Sequence, residues 1–191
     1  EHAKNYGPRN FRRQDRIGTL EDYIGFGNAF RSKQGSLGKT TAVVRDAYSS
    51  ANVIDVYTLE RASQTKLQKA SISFKKQLLD EISEKKMLTD EVVVVDGLIR
   101  TLDLIITIRV DKEIQDIKGQ IEQEVAEVIL DYFDVDNTDF GRPFVAADLS
   151  KEIFKLPNVR FATVDNTDPI IDIDFNEIIQ LNNFIIKTVL V

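Results

Sequence analysis

The apolar and polar positions in the first half of the chain predict a short helix, a strand pair and a longer helix. Thr19 can accept hydrogen bonds from the backbone amides of the next turn, as an N-cap does. Residues 40–48 and 53–60 are rich in β-branched side chains and predict an antiparallel pair. Ser71 can cap a second helix that runs to about Met87, because its apolar residues recur every three or four positions.

A strong turn signal opens the second half. The dipeptide Asp96-Gly97, between residues 92–95 and 98–110, predicts a hairpin with a tight type I′ turn. The return strand starts at Leu98, and apolar residues alternate along 101–110, which is typical of a strand with one mostly buried face. The other predicted elements are a long helix at 117–133, an amphipathic helix at 145–156, strands at 159–164 and 184–191, and a polar loop at 165–176.

This order of elements predicts an α+β fold in which mixed or antiparallel sheets pack against amphipathic helices in two lobes. We expect an extended arm at 1–18, a first domain at 19–111 and a second at 112–191. The strand and helix order also permits a single ferredoxin-like core. Since the first residue is Glu1 and the only methionine is Met87, we expect the chain to be the C-terminal fragment of a longer one.

Composition and charge narrow the class of function. Hydrophobic residues make up 42% of the 191 and charged residues 29%, as in a folded globular protein. The net charge of −6 argues against nucleic acid as a partner, and the apolar runs are too short for direct membrane insertion. The absence of cysteine excludes disulfides, thiolate metal sites and a cysteine nucleophile.

The stretch Gln34-Gly-Ser-Leu-Gly-Lys-Thr-Thr41 ends like a phosphate-binding loop. Such a loop needs a glycine separated from the Gly-Lys pair by four residues, and that position holds Lys33. The loop also needs a helix after it, whereas the residues that follow predict a strand. We therefore interpret the stretch as a mobile strand-entry loop with a surface lysine, Lys39, and expect no nucleotide site.

Other candidate chemistry fails on spacing or residue type. The run from Asp134 to Asp139 alternates carboxylates as a calcium loop does, but it has Asp139 where glycine belongs and Val145 where a bidentate glutamate belongs. His2 is the only histidine, so neither a Ser-His-Asp triad nor a histidine metal centre can form. We expect no catalytic residue, no cofactor and no metal, and we interpret the run as a polar loop that ends a helix.

The segment Arg16-Ile-Gly-Thr-Leu-Glu-Asp-Tyr23 resembles the Arg-x-x-Thr-x-x-Asp-Tyr signature of baseplate J-like proteins. These are the wedge subunits of contractile phage tails and related injection machines. The usual order of elements in that family also has counterparts downstream, at 40–60, 71–87, 92–110, 117–133, Gly141, 146–156 and 157–161. The length and the acidity of the chain are most similar to wedge proteins of the T-even type.

The resemblance implies a structural virion protein and no reaction. Wedges of this family join into a sixfold ring around the tail hub, and that ring rearranges when the sheath contracts. The implied partners are the chain itself, in homodimer or ring contacts, and other baseplate wedge and sheath-initiating proteins. The implied location is the tail baseplate of the virion, assembled in the host cytoplasm.

The resemblance also assigns residues. The signature residues, which we interpret as structural, are Arg16, Thr19, Asp22 and Tyr23. The residues that we expect at an interface are Gly35, Lys39, Asp172 and Phe175. Thr19 is expected to cap, Tyr23 to pack, and Arg16 either to pair with Asp22 or a carbonyl or to be a solvated charge. Two other functions stay open: an enzymatic module that uses the Gly-Lys-Thr loop, and a scaffold domain outside viruses.

Overall fold

The structure is a computed structural model that describes residues 16–45 and 52–191. The chain divides into two compact units, the first comprising the described residues up to Ala62 with Leu67–Gly97, the second Ser63–Lys66 with Leu98–Val191. Helices pack on a sheet in each unit, so the predicted α+β fold is confirmed. Most of the predicted arm lies outside the described residues. The ranges 19–111 and 112–191 stay a prediction about domains that fold independently.

Strand β2 is central to the sheet of the first unit. It pairs antiparallel with β1 and β3 and parallel with β4. The described elements of this unit are α1 (Leu20–Ala29), β1 (Gly38–Arg45), β2 (Asn52–Arg61), β3 (Leu67–Lys69), α2 (Ile72–Lys85) and β4 (Asp90–Asp96). The predicted antiparallel pair is confirmed as β1 and β2, and the turn between them lies outside the described residues.

The helix α2 follows the sequence prediction closely. The Ser71 hydroxyl accepts a hydrogen bond from the Phe74 backbone amide at 3.2 Å, which satisfies one amide that the helix leaves unpaired. Phe74, Leu78 and Ile82 form its buried face and join Tyr23 in the core of the first unit. Because these residues recur every four positions, they lie on one side of the helix.

The predicted hairpin at Asp96-Gly97 is wrong. A type I′ turn needs positive φ at both central residues, but among the described glycines only Gly35 and Gly141 have positive φ. The Gly97 amide instead donates to the Thr58 carbonyl at 3.1 Å, and the chain continues into β5. Since β4 pairs with β2 while β5 belongs to the second sheet, a single ferredoxin-like sheet is not formed.

Strand β5 is central to the sheet of the second unit. It pairs antiparallel with β7 and parallel with β9, while β6 and β8 form a small separate pair. The described elements are β5 (Leu98–Val110), a 3-10 helix (Lys112–Ile117), α3 (Lys118–Tyr132), β6 (Phe144–Val145), α4 (Ala146–Phe154), β7 (Phe161–Val164), β8 (Ile170–Ile171) and β9 (Glu177–Leu190). The last strand therefore begins seven residues before its predicted start at 184.

The core of the second unit lies between one face of this sheet and the helices α3 and α4. Alternate residues of β5 supply the sheet side, as the sequence predicts. The buried residues are Leu102, Leu104, Ile106, Ile108 and Val110 on β5, Ile121, Val125 and Ile129 on α3, and Leu149 and Ile153 on α4. Among the helices of the described ranges, none combines the length and the apolarity that crossing a bilayer requires.

Two asparagine side chains form hydrogen bonds with backbone groups of β1 and β5 that no neighbouring strand pairs. In the first unit, the Asn28 carbonyl oxygen accepts from the Thr40 amide of β1 at 2.7 Å. In the second, Asn166 accepts from the Ile105 amide at 2.6 Å and donates to the Asp103 carbonyl at 2.7 Å. These bonds occupy backbone groups that an edge strand would otherwise leave free.

Candidate functional site

The signature residues Thr19 and Asp22 form the start of α1. The Thr19 hydroxyl accepts from the Asp22 amide at 3.2 Å, and the Asp22 carboxylate accepts from the Thr19 amide at 3.1 Å. The same carboxylate accepts from the Gly18 amide at 3.3 Å. This reciprocal pair is a capping box, in which Asp22 takes the place that glutamate often holds. The predicted capping role of Thr19 agrees with these distances.

Tyr23 is fully buried and reaches across the core of the first unit. Its hydroxyl donates to the Asp90 carboxylate at 2.9 Å, and Asp90 is itself 6% exposed. Burial, together with the hydrogen bond and charge of Asp90, raises the pKa of the Tyr23 phenol well above its ordinary value. The phenol therefore stays protonated and donating at neutral pH. This pair ties α1 to the first residue of β4.

Arg16 is exposed, and its predicted pairing with Asp22 stays a prediction. The next residue, Ile17, is buried and bridges to the end of α2 through a hydrogen bond from its amide to the Lys85 carbonyl at 3.0 Å. Three of the four signature residues thus serve the fold within this chain, and the fourth, Arg16, precedes a residue that does.

The loop before β1 is a closed turn. The Ser32 amide donates to the Ser36 carbonyl at 3.0 Å, and the Gly35 amide donates to the Ser32 carbonyl at 2.8 Å. Gly35 has φ of 85°, a conformation that side chains with a Cβ rarely adopt. Gln77 of α2 also accepts from the Lys33 amide at 2.8 Å. Gly35 therefore meets the geometry of a defined turn, which corrects our interpretation of this glycine as a source of mobility.

The Gly-Lys-Thr tripeptide lies inside the sheet. Gly38 begins β1, where an added Cβ would meet the Leu59 carbonyl oxygen at 2.6 Å. Lys39 pairs with Leu59 and is only 8% exposed, so its prediction as a surface lysine is wrong. The strand starts two residues earlier than predicted and includes Lys39 in the paired segment. The amide of Thr40 is already bonded to Asn28, and no helix follows, so the tripeptide does not form a phosphate cradle.

The other predicted interface residues, Asp172 and Phe175, belong to the second unit and are both exposed. The Asp172 carbonyl accepts from the Arg100 guanidinium at 3.1 Å, which ties this loop to β5. Gly35 and Lys39 belong to the first unit. Their role in an interface stays a prediction, and the burial of Lys39 leaves little of its side chain for contact with another protein.

The acidic run after α3 is ordered by Asp134. Its carboxylate accepts from the Asp136 amide at 2.8 Å and from the Gln64 side chain at 2.7 Å. This is the hydrogen bonding of an Asx turn, and it fits a polar loop that ends a helix. Within residues 16–45 and 52–191, no three His, Cys, Asp or Glu side chains are grouped so that they could hold a metal ion.

A groove of about 760 Å³ lies between α3 and α4. Its charged lining mixes signs: Glu124, Glu127, Asp131, Asp148 and Glu152 oppose Arg142, Lys151 and Lys155. Burial raises the pKa of the Tyr132 phenol on its wall, with Arg142 opposing the shift and Asp148 supporting it. Tyr132 therefore stays neutral at physiological pH and can donate a hydrogen bond, but it cannot act as a base.

Sequence reasoning missed Asp90, which ties α1 to β4, and it missed Asn28 and Asn166, which bond backbone groups of β1 and β5. Their partners Tyr23, Thr40 and Ile105 are 67, 12 and 61 residues away in sequence. No local sequence pattern indicates that an aspartate or asparagine will bond a residue far away along the chain. These partners come together only in the folded structure.

Comparison with known proteins gives a similarity of fold. No protein-family model matches the chain, and no curated protein matches its sequence. The fold is similar to that of a chain in the cryo-EM structure of the anti-feeding prophage (AFP) baseplate, 6-fold symmetrised, with a TM-score of 0.54 and 12% sequence identity. The similarity covers 94% of this chain and 40% of that chain, so this chain spans less than half the length of the prophage protein.

Proposed function

We propose that this chain is a structural subunit of a contractile-tail baseplate. The observation that carries the proposal is the fold similarity to a baseplate chain of the anti-feeding prophage, which extends over 94% of the residues. The Arg16–Tyr23 signature supports the same function, since it resembles that of baseplate J-like wedge proteins. The first line of support rests on the fold of nearly the whole chain, and the second rests on eight residues of sequence.

The role of the signature residues fits a structural subunit. Thr19 and Asp22 bond each other, and Tyr23 bonds Asp90 in the core. A catalytic motif holds reactive groups toward a substrate, whereas these side chains are engaged within the first unit. We therefore assign the motif to stability of the fold that the assembly needs.

The finer proposal is a wedge subunit. As a wedge subunit, the chain binds copies of itself and other wedge and sheath-initiating proteins to form a sixfold ring around the tail hub. This ring rearranges when the sheath contracts. The chain is then a component of the virion tail, assembled in the host cytoplasm. An interface with two stable arrangements is what such a switch requires.

The contact loops proposed for this assembly are the turn around Gly35 and the loop that holds Asp172 and Phe175. Asp172→Lys combined with Phe175→Ser changes charge and apolar area without touching the core, since both residues are exposed. We expect this variant to fold normally and to enter tail particles less efficiently than the parent chain. If the variant enters tail particles as efficiently as the parent chain, this loop does not belong to the interface.

The experiment that tests the function is location in tail particles. Contractile particles purified from cells that produce the chain should bind gold-labelled antibody against it at the baseplate end of the tail. Deletion of the chain should give tails without a complete baseplate. Intact, contractile particles that lack the chain would contradict the proposal, and antibody against the tail tube provides the matched control.

A nucleotide-driven enzyme is the alternative function that the sequence raised. It requires saturable binding of ATP or GTP that Lys39→Ala abolishes. We expect no such binding, because Lys39 lies in a paired strand and the Thr40 amide is occupied by Asn28. Calorimetric titration of the purified chain with each nucleotide and magnesium decides between the two functions.

A further inference from the structure

Strand β9 forms a long free edge in the second unit. It runs for 14 residues beside β5, and the described part of the chain places no strand on its other side. Its exposed part begins at Asn182 and alternates between exposed and half-buried residues up to Leu190. Ile185 and Val189 are 53% and 43% exposed. A long apolar edge of this kind is a template for pairing with another strand.

The edges formed by β1 and by β5 with β7 contrast with this one. The Thr40 amide of β1 is occupied by Asn28, and β5 is covered on its far side by β7 and then by the Asn166 side chain. Strand β7 is itself only four residues long. Short edge strands and backbone groups that are already hydrogen-bonded prevent a sheet edge from pairing with another chain. Strand β9 is longer, at 14 residues, and carries a single charged residue, Lys187, in its exposed part. The Phe184 amide of this strand donates to the Asn183 side chain at 2.9 Å, so the edge is partly bonded.

The two faces of β9 are distinct after a register shift. Leu181 pairs with Leu102 and Asn183 with Asp103, so Asn182 is an extra residue in this strand. Beyond it, Phe184 and Ile186 face the core, whereas Ile185 and Lys187 face outward. Any strand that pairs with this edge must therefore place apolar residues beside Phe184 and Ile186.

The stretch Asn183–Lys187 meets this requirement for itself. In an antiparallel register centred on Ile185, Phe184 lies opposite Ile186 of a second copy on the core face. On the outer face Ile185 lies opposite its own counterpart, and Lys187 lies opposite Asn183. The Asn183 amide oxygen already accepts from the Phe184 amide at 2.9 Å, and its second lone pair can accept from the ammonium group. In this register apolar residues lie opposite apolar residues, and the two lysines are not opposite each other. The two members of each pair lie on the same face of the joined sheet.

We propose that the β9 edge pairs with the β9 edge of a second copy of this chain, so that the sheets of the two second units join across a twofold axis. Such an isologous contact is self-complementary by symmetry. The inference rests on the proposed function for its place in an assembly, but the pairing itself depends only on this strand.

A first test uses charge at the centre of the pair. Light scattering of the whole chain across concentration should show a monomer that becomes a dimer. Ile185→Lys places two lysines opposite each other and should weaken dimerisation by roughly tenfold or more. Ile170→Lys is the matched control, since Ile170 is 55% exposed on β8, and it should leave dimerisation unchanged. A parent chain that stays monomeric to concentrations on the order of 1 mM would overturn the proposal.

A second test fixes the register. The chain has no cysteine, so Ile185→Cys introduces a single thiol that can form a disulfide only between copies. Directly opposed residues are close enough to cross-link with little adjustment. Mild oxidation should link Cys variants at 185 quickly and those at 170 slowly. Equal rates would contradict this register, even if both proteins fold as the parent chain does.

The outcomes separate this inference from the proposed function. A dimer in solution that is absent from tail particles would leave the pairing intact and remove the baseplate function. A monomeric chain that occupies the baseplate, and loses its place there through Ile185→Lys, would show that the edge takes a strand of another protein. That result would contradict the proposed pairing with a second copy of this chain, but it would support the baseplate function.

Discussion

Gly27 marks the place where α1 approaches β1 most closely. An ideal Cβ built at this residue comes 2.5 Å from the Thr40 methyl carbon, and Thr40 is 3% exposed with its hydroxyl close to that of Thr58. The threonine cannot turn away without leaving that contact. The glycine is therefore required by packing, although it has lower intrinsic helix propensity than alanine.

We expect Gly27→Ala to destabilise the chain by about 1–3 kcal/mol, the usual range for overpacking a core. Gly119→Ala is the matched control, because Gly119 lies in α3 with no atom within 4 Å of an added Cβ. That change should stabilise by up to about 1 kcal/mol. Urea unfolding followed by circular dichroism measures both, and a Gly27→Ala protein as stable as the parent would contradict the packing argument.

The Tyr23–Asp90 pair gives a second prediction at this scale. Tyr23→Phe leaves a carboxylate that is 6% exposed without its 2.9 Å donor, so we expect a loss of about 1–3 kcal/mol at pH 7. A double-mutant cycle with Asp90→Asn isolates the coupling between the two side chains. A Tyr23→Phe protein of unchanged stability would show that the pair contributes nothing.

The same pair makes stability depend on alkaline pH. Because the pKa of Tyr23 is raised above its ordinary value of 10.0, the folded protein holds the phenol proton more tightly than the unfolded chain. This contribution is complete below pH 10 and is lost as the pH rises toward the pKa of the folded state. The unfolding free energy of the parent should therefore fall more steeply above pH 10 than that of Tyr23→Phe. Parallel slopes would contradict this.

At the scale of elements, the edge of β5 depends on one side chain. Asn166 holds the Ile105 amide and the Asp103 carbonyl, as a neighbouring strand would. Asn166→Ala should leave the overall fold intact and increase hydrogen exchange of the Ile105 amide by roughly tenfold or more, since that amide then meets water. Asn137→Ala removes a bond to the Asp131 carbonyl instead and should leave Ile105 protected. Equal protection in both variants would refute this role.

Elements with a strong local period could be predicted from the sequence. The helix α2 has its cap at Ser71 and its apolar face at four-residue spacing, and β5 alternates from Leu102 to Val110. The hairpin at Asp96-Gly97 failed because the dipeptide permits a type I′ turn but does not compel one. The pairing of β4 with β2 and of β5 with β9 decided the outcome, and neither pairing has a local signal.

The same limit applies to the candidate site. The cap at Thr19 could be predicted because its partner Asp22 is three residues away. The burial of Lys39 could not, since the pairing of Lys39 with Leu59 of β2 is not marked by any local feature of the sequence. Local chemistry is visible in sequence, whereas burial depends on residues that only the fold brings together.

For the whole molecule, the place of β5 decides which fragments can fold. Residues 98–191 contain the central strand and both helices of the second unit, whereas 112–191 lack the five buried residues of β5. We expect the longer fragment to unfold cooperatively on heating and the shorter one to show no transition. A cooperative transition in residues 112–191 would instead support a domain boundary near residue 111.

The parallel pairing of β5 with β9 has a consequence for how the chain is made. The first paired residues, Leu98 and Glu177, are 79 positions apart, so the second sheet closes a long loop before its contacts can stabilise it. During synthesis the edge of β5 that pairs with β9 keeps its backbone groups unpaired until β9 has left the ribosome. Domains of such high contact order fold slowly. During that interval the unpaired edge is open to aggregation or to chaperones.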